Sequence, residues 1–232
     1  MMMEGDDLTA RLARFLRLQK PLLAQQGSPQ AALGHERLRN LIAELSPHLA
    51  LRAAAGDATD IWSVIGLKRN EVNTARILTW LLDPSGSHGY QDAILSALWQ
   101  QIPSALQPFE LGRAKKTRRE TVPLGDTQNR VDIEIEGDDF LLIIEVKIDA
   151  GDQPDQLPRY LHAAKTKASA RNLSRYGVLY LTCARSASDL KGCVPVTWLD
   201  FARAIETAAS SRPLTSAGIQ LGLSFANHIR AL

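Results

Sequence analysis

The polar and apolar positions of this chain change period along its length. Leu8, Leu12, Phe15 and Leu16, and then Leu38, Leu41, Ile42 and Leu45, recur at intervals of three and four residues, the spacing of one helical face. Pro21 and Pro47 are expected to kink or end these two helices, and "AAAGDATD" to form the loop that follows. A third helix is predicted from Asn70 to Leu82, with Asn70 as its cap and Ile77, Leu78, Leu81 and Leu82 as its apolar stripe. It stops at the turn-forming cluster "DPSGSHG", and a short helix near Asp92 to Trp99 follows.

Beyond this point the period falls to two. "RETVPL", "RVDIEIE" and "FLLIIEVKI" read as three strands, separated by "GDTQN" and "GDD", both good turn chemistry. A helix is predicted from Gln156 towards Ala170, then strands at "GVLYLT" and "VTWL", then helices over Phe201 to Ala209 and Ser216 to Arg230. This order predicts an α/β fold with helices packed on a mixed sheet. There is no internal repeat or low-complexity segment.

Composition narrows the classes. A chain of 232 residues, 45% hydrophobic, is long enough to bury one sizeable core. Its 27 Lys+Arg against 25 Asp+Glu give a formal net charge of +2, too balanced to imply a nucleic-acid or membrane partner by itself. Cys183 and Cys193 lack the spacing of a zinc site, and no disulfide is expected. The acidic start "MMMEGDD" does not suit a signal peptide, and no apolar run has the roughly 18 residues of a membrane span. A soluble protein of a reducing cytoplasm is the expectation.

The informative stretch is "RVDIEIEGDDFLLIIEVKIDAGDQPDQLPRY", which sets Asp132, Glu145 and Lys147 within strands otherwise suited to burial. Alternation along a strand points Glu145 and Lys147 the same way. A turn on Asp138 and Asp139 pairs Gly137 with Phe140 and, counting outward, sets Asp132 opposite Glu145. Such neighbours have Cβ atoms about 4.5–5.5 Å apart. Two carboxylates that close repel, and one lysine does not neutralise both. Mg²⁺ does so, being held by one or two carboxylates plus waters and substrate phosphate oxygens. An ordinary ladder of cross-strand ion pairs, shared with Glu134 and Glu136, reads the spacing equally well. The run "LLIIEVKI", which suggests a strand covered on both faces, argues against it.

These residues resemble the core of the PD-(D/E)XK nuclease superfamily, the restriction-endonuclease-like phosphodiesterases: an Asp opening the second strand (Asp132), then E-x-K on the third (Glu145, Lys147). The similarity extends to a branch with a helix that begins with Glu and carries "E..hS.iLa.LLdp...Hg". Here "EVNTARILTWLLDPSGSHG" supplies Glu71, Leu78, Leu81, Leu82, Asp83, Pro84, His88 and Gly89. The branch also has Gln-Leu-x-x-Tyr after the E-x-K, matched by Gln156, Leu157 and Tyr160. The similarity runs from about Glu71 to about Asp200, and departs from the pattern at Val131 (for Pro), Thr74 (for Ser) and Pro158.

The resemblance implies a restriction-endonuclease-like αβββαβ core with a mixed central sheet over residues 63–232, and an N-terminal helical extension over residues 1–62. It implies Mg²⁺-dependent hydrolysis of nucleic-acid phosphodiesters, with Mn²⁺ able to substitute and DNA favoured over RNA. Asp132, Glu145 and Glu71 would hold the metal and Lys147 would be the catalytic lysine. Gln156 and Tyr160, four apart on one helical face, would line the site. A bacterial or phage setting of defence, repair or mobile-element processing follows by analogy, as do a homodimer suited to cutting two strands and a separate targeting partner. The alternative is a catalytically idle member of the fold that binds nucleic acid or regulates.

The basic stretch "GRAKKTRRE" offers Lys115, Lys116 and Arg118 to track phosphates, and serves equally well as a solvated loop. His88 is expected to order its turn, Arg130 to serve structure or an ion pair, and Trp80 and Trp99 to sit in the core.

Overall fold

A computed structural model describes residues 29–56, 59–121, 131–149, 156–184 and 191–232. The expected first helix, the "GDTQN" turn and Arg130 lie outside them. The chain divides into two units at Thr59 and Asp60.

In the first unit α1 spans Pro29–Ala54 and runs through Pro47 rather than ending there. The proline removes the amide that would bond the Ala43 carbonyl, but this stretch is exposed, so water can take the amide's place. Leu38, Leu41, Leu45 and Leu49 are exposed along α1.

The second unit holds α2 (Ile61–Val64), α3 (Glu71–Leu82), α4 (Ala93–Gln101), β1 (Ala114–Thr121), β2 (Val131–Gly137), β3 (Phe140–Val146), α5 (Gln156–Ala170), β4 (Arg175–Thr182), β5 (Cys193–Thr197), α6 (Trp198–Ala209) and α7 (Ala217–Ile229). The sheet order is β1-β2-β3-β4-β5, antiparallel from β1 to β3 and parallel from β3 to β5. This is the mixed sheet of a restriction-endonuclease-like core.

Three boundaries differ from the sequence reading, each for a physical reason. The first strand begins at Ala114, so that "AKKTRRET" is strand and the expected basic loop does not form. Ala114 and Thr117 are buried while Lys115 and Lys116 face out, with a bulge between Ala114 and Lys116 resetting the register; an edge strand tolerates such charges. "VTWL" does not continue as strand past Thr197, because Thr197 and Asp200 form a capping box that starts α6 at Trp198. A short helix, α2, follows the loop before it, capped by the Asp60 carboxylate, which accepts the amides of Trp62 and Ser63.

The hairpin keeps the register read from its turn. Ile133 faces Ile144 and Glu136 faces Leu141, and one step beyond, Asp132 falls opposite Glu145. Gly137 is obligatory there, since the Phe140 ring lies where its Cβ would be. β3 is buried throughout. Ile133, Ile135, Phe140, Leu142, Ile144 and Val146 belong to the large core beneath α3, α4, α6 and α7, and Ile143 joins Val178, Tyr160, Ala163 and Ala164 under α5. A strand covered on both faces is what its continuous apolar run requires.

The "DPSGSHG" turn is closed by His88, fully buried, whose Nε2 meets the Asp83 carbonyl at 2.8 Å while its Nδ1 accepts the Tyr90 amide at 2.9 Å. Accepting at Nδ1 requires the neutral ring, and burial pushes the His88 pKa down. Both cysteines are free. Among the described residues no helix is long and apolar enough to cross a membrane.

Candidate active site

The site forms where β2 begins and β3 ends. The Asp132 carboxylate accepts the backbone amide of Val146 at 2.9 Å, a bond across the hairpin that fixes the carboxylate against β3. Next to it stands Glu145, only 3% exposed. Its Oε1 accepts from Gln156 Nε2 at 2.8 Å and from Lys147 Nζ at 3.0 Å. Its Oε2 is buried and has no hydrogen-bond partner among the described residues.

Burial pushes the Glu145 pKa up to about 7, and the Asp132 charge pushes in the same direction against the pull of Lys147. Burial also raises Asp132, with Glu71 adding to it and the Val146 amide opposing. The two carboxyls therefore resist sharing two negative charges.

Lys147 lies just past β3 on a segment held from four sides. Its amide donates to the Leu181 carbonyl at 2.8 Å and its carbonyl accepts from Trp198 Nε1 at 3.0 Å. One and two residues on, Glu71 Oε1 accepts the amides of Ile148 (2.7 Å) and Asp149 (3.2 Å). Arg69 Nε donates to both Asp149 carboxylate oxygens at 2.8 and 2.9 Å. Glu71 is placed for this by α3, whose first residue it is and whose cap, Asn70, accepts the Asn73 amide at 2.9 Å. The resemblance implies a metal ligand at Glu71; the bonds seen here anchor the backbone beside the lysine, and the Glu71 charge also acts on Asp132.

On the other side α5 supplies Gln156 and Tyr160, both buried. The Gln156 amide nitrogen donates to Glu145 and, at 3.0 Å, to the Tyr160 hydroxyl, whose pKa burial raises to about 12. Pro158 is the third residue of α5, where the amide it lacks would have had no intrahelical acceptor.

The basic positions on β1 lie elsewhere. Lys116 pairs with Glu136 across the sheet, four residues and roughly 13 Å along β2 from Asp132. Lys115 forms an ion pair with Asp138 at 2.7 Å. Arg118 is held by Glu134 and Glu136, each at 3.1 Å. These ion pairs account for Lys115 and Arg118, and the strand pairing sets Lys116 away from Asp132.

Sequence reasoning missed the group around Glu134. This carboxylate is fully buried and is met by Lys167, by Arg171 at 2.9 Å and by Arg118, while Arg171 also reaches Glu136 at 2.8 Å. The alternation that grouped Glu134 with Asp132 was visible; its partners on α5 were not.

Among the described residues no three His, Cys, Asp or Glu side chains gather round one point. A hard cation such as Mg²⁺ does not need three, because one or two carboxylates suffice and waters complete its shell. Asp132 beside Glu145, with one buried Glu145 oxygen unpartnered, is a donor set that fits such an ion. A family model described as the PD-(D/E)XK nuclease superfamily matches residues 59–198, a span that contains Glu71, Asp132, Glu145, Lys147, Gln156 and Tyr160. A comparison with curated proteins finds no match.

Proposed function

Because the chain belongs to the PD-(D/E)XK nuclease superfamily, we propose that it is a Mg²⁺-dependent nuclease, with DNA rather than RNA as substrate and Mn²⁺ able to replace Mg²⁺. The observation that carries this reading is the Glu145 oxygen left without a partner in a buried position beside Asp132. A buried carboxylate oxygen is costly unless something arrives to satisfy it.

Asp132 and Glu145 would hold the ion. The chemistry a divalent cation supplies here is polarisation of the phosphoryl group, acidification of water and screening of charge. Lys147, which pairs with Glu145 at 3.0 Å, is positioned to hold the attacking water or to stabilise the charge that develops on the phosphate oxygens. Gln156 keeps Glu145 aimed, and Glu71 keeps the Lys147 segment rigid. A cytoplasmic homodimer would suit cleavage of both strands, and targeting would fall to a further partner.

The test is cleavage of circular plasmid, linear duplex, single-stranded DNA and RNA by the purified chain with Mg²⁺, Mn²⁺ or EDTA, beside Glu145→Ala. We expect metal-dependent cutting of DNA that the substitution abolishes. Cation binding without cutting would instead identify an idle, nucleic-acid-binding member of the fold.

A further inference from the structure

Glu145 Oε2 is one of two unpartnered charged atoms near the Gln156 end of α5. The other is Arg159 Nε, which is buried and meets no acceptor among the described residues. Arg159 as a whole is partly buried and makes no hydrogen bond or ion pair among the described residues. A guanidinium is always charged and carries five donors, so burying part of it without an acceptor is expensive.

Its place on α5 says where it stands. Arg159 follows Gln156 by three positions, hence lies on a neighbouring part of the same turn. It precedes Leu161 by two, about 200° of rotation, and so occupies the opposite flank. Leu161 packs against Gly192 at the start of β5, whereas Lys167 and Arg171 reach Glu134 on β2. The Arg159 flank therefore faces the β2 side, at the level where Gln156 meets Glu145 and Asp132 begins its strand.

Arg159 and Glu145 have not solved each other's problem: Oε2 and Nε both remain unpartnered, although the glutamate accepts from Gln156 and Lys147. One group wants a cation and the other an anion. We propose that Arg159 binds a phosphodiester oxyanion of the nucleic-acid strand beside the carboxylate pair, its planar fork matching phosphate geometry. This rests on the nuclease reading and assigns that site a substrate-binding residue.

The test is binding of a short fluorescent duplex by the full chain in Ca²⁺, measured by anisotropy over a range of salt, for wild type, Arg159→Gln and Arg159→Lys, with thermal melting of each. Arg159→Gln is expected to bind about tenfold more weakly and to lose about 0.9 from the slope of log affinity against log salt, the value of one duplex phosphate. Arg159→Lys should keep the slope and bind several-fold more weakly. Melting temperature should hold or rise in Arg159→Gln, because an unsatisfied buried donor is removed. Wild-type affinity and slope in Arg159→Gln, beside a wild type that binds and cuts, overturn this assignment alone. A lower melting temperature with an unchanged slope does so too, since it makes Arg159 structural. A wild type that neither binds nor cuts overturns the nuclease reading itself.

Discussion

Gln156 donates to Glu145 at 2.8 Å, joining the first turn of α5 to the end of β3. The bond holds a carboxylate that its surroundings disfavour, and it leaves the second, buried carboxylate oxygen without a hydrogen-bond partner among the described residues. Gln156→Leu should weaken divalent-cation binding by about tenfold, the lower end for loss of a group that orients a metal ligand. Titration calorimetry with Mn²⁺ measures this. Wild-type affinity would remove Gln156 from the support of the site.

The carboxylate pair makes a prediction about pH. Glu145, raised from about 4.5 to about 7, binds its proton more tightly folded than unfolded. Its contribution to stability is present below the unfolded value and is lost as pH rises through about 7. A bound cation reverses this by favouring the charged form. The gain in melting temperature on replacing EDTA with Mg²⁺ should thus be small at pH 5.5 and large at pH 8. A gain independent of pH would count against Glu145 as a ligand.

Glu145→Gln keeps the hydrogen-bonding shape and removes one of two repelling charges. It should abolish cation binding and cutting while raising the metal-free melting temperature at pH 8 by about 2–4 °C, the shift that 1 kcal/mol produces in a chain of this size. Melting in EDTA decides the sign, and a lower value would show that the Lys147 pairing outweighs the repulsion.

Glu134 is the contrasting case. Its pKa lies below the usual range because Lys167 and Arg171 outweigh the effect of burial, so its contribution is present above the unfolded value and lost as pH falls through the lowered one. Glu134→Ala removes the buried carboxylate that Lys167, Arg171 and Arg118 share and should cost about 3–5 kcal/mol. Urea unfolding measures it. Since Lys167 and Arg171 attach α5 to β2, the same variant should also reduce cutting to the fraction still folded.

Gly218 tests how the motif turn is held. A Cβ there would lie 2.5 Å from the His88 carbonyl oxygen and 2.6 Å from its Cα, and backbone cannot step aside as a side chain can. Gly218→Ala should cost about 1–3 kcal/mol, whereas Gly112→Ala meets only the Phe140 ring, at 3.8 Å. Denaturant midpoints of the pair compare them, and equal midpoints would mean that α7 shifts to accommodate the methyl.

What the sequence by itself determined is what local geometry controls. The Asn70 cap, the α5 span and the opposition of Asp132 to Glu145 follow from side-chain chemistry, helical period and a tight turn between two strands, none of which needs a distant partner. The Thr197–Asp200 capping box was equally local and was obscured by a β-branched and aromatic run that reads as strand. Tertiary structure alone decided where the remaining charges go. Glu71 takes amides of residues 148 and 149, Lys167 and Arg171 close on Glu134, and Arg159 Nε is left without an acceptor among the described residues, because each depends on how α3 and α5 are set against the sheet. The pleat can be read along one strand; the pairing of a charge across dozens of residues depends on the packing that desolvates it.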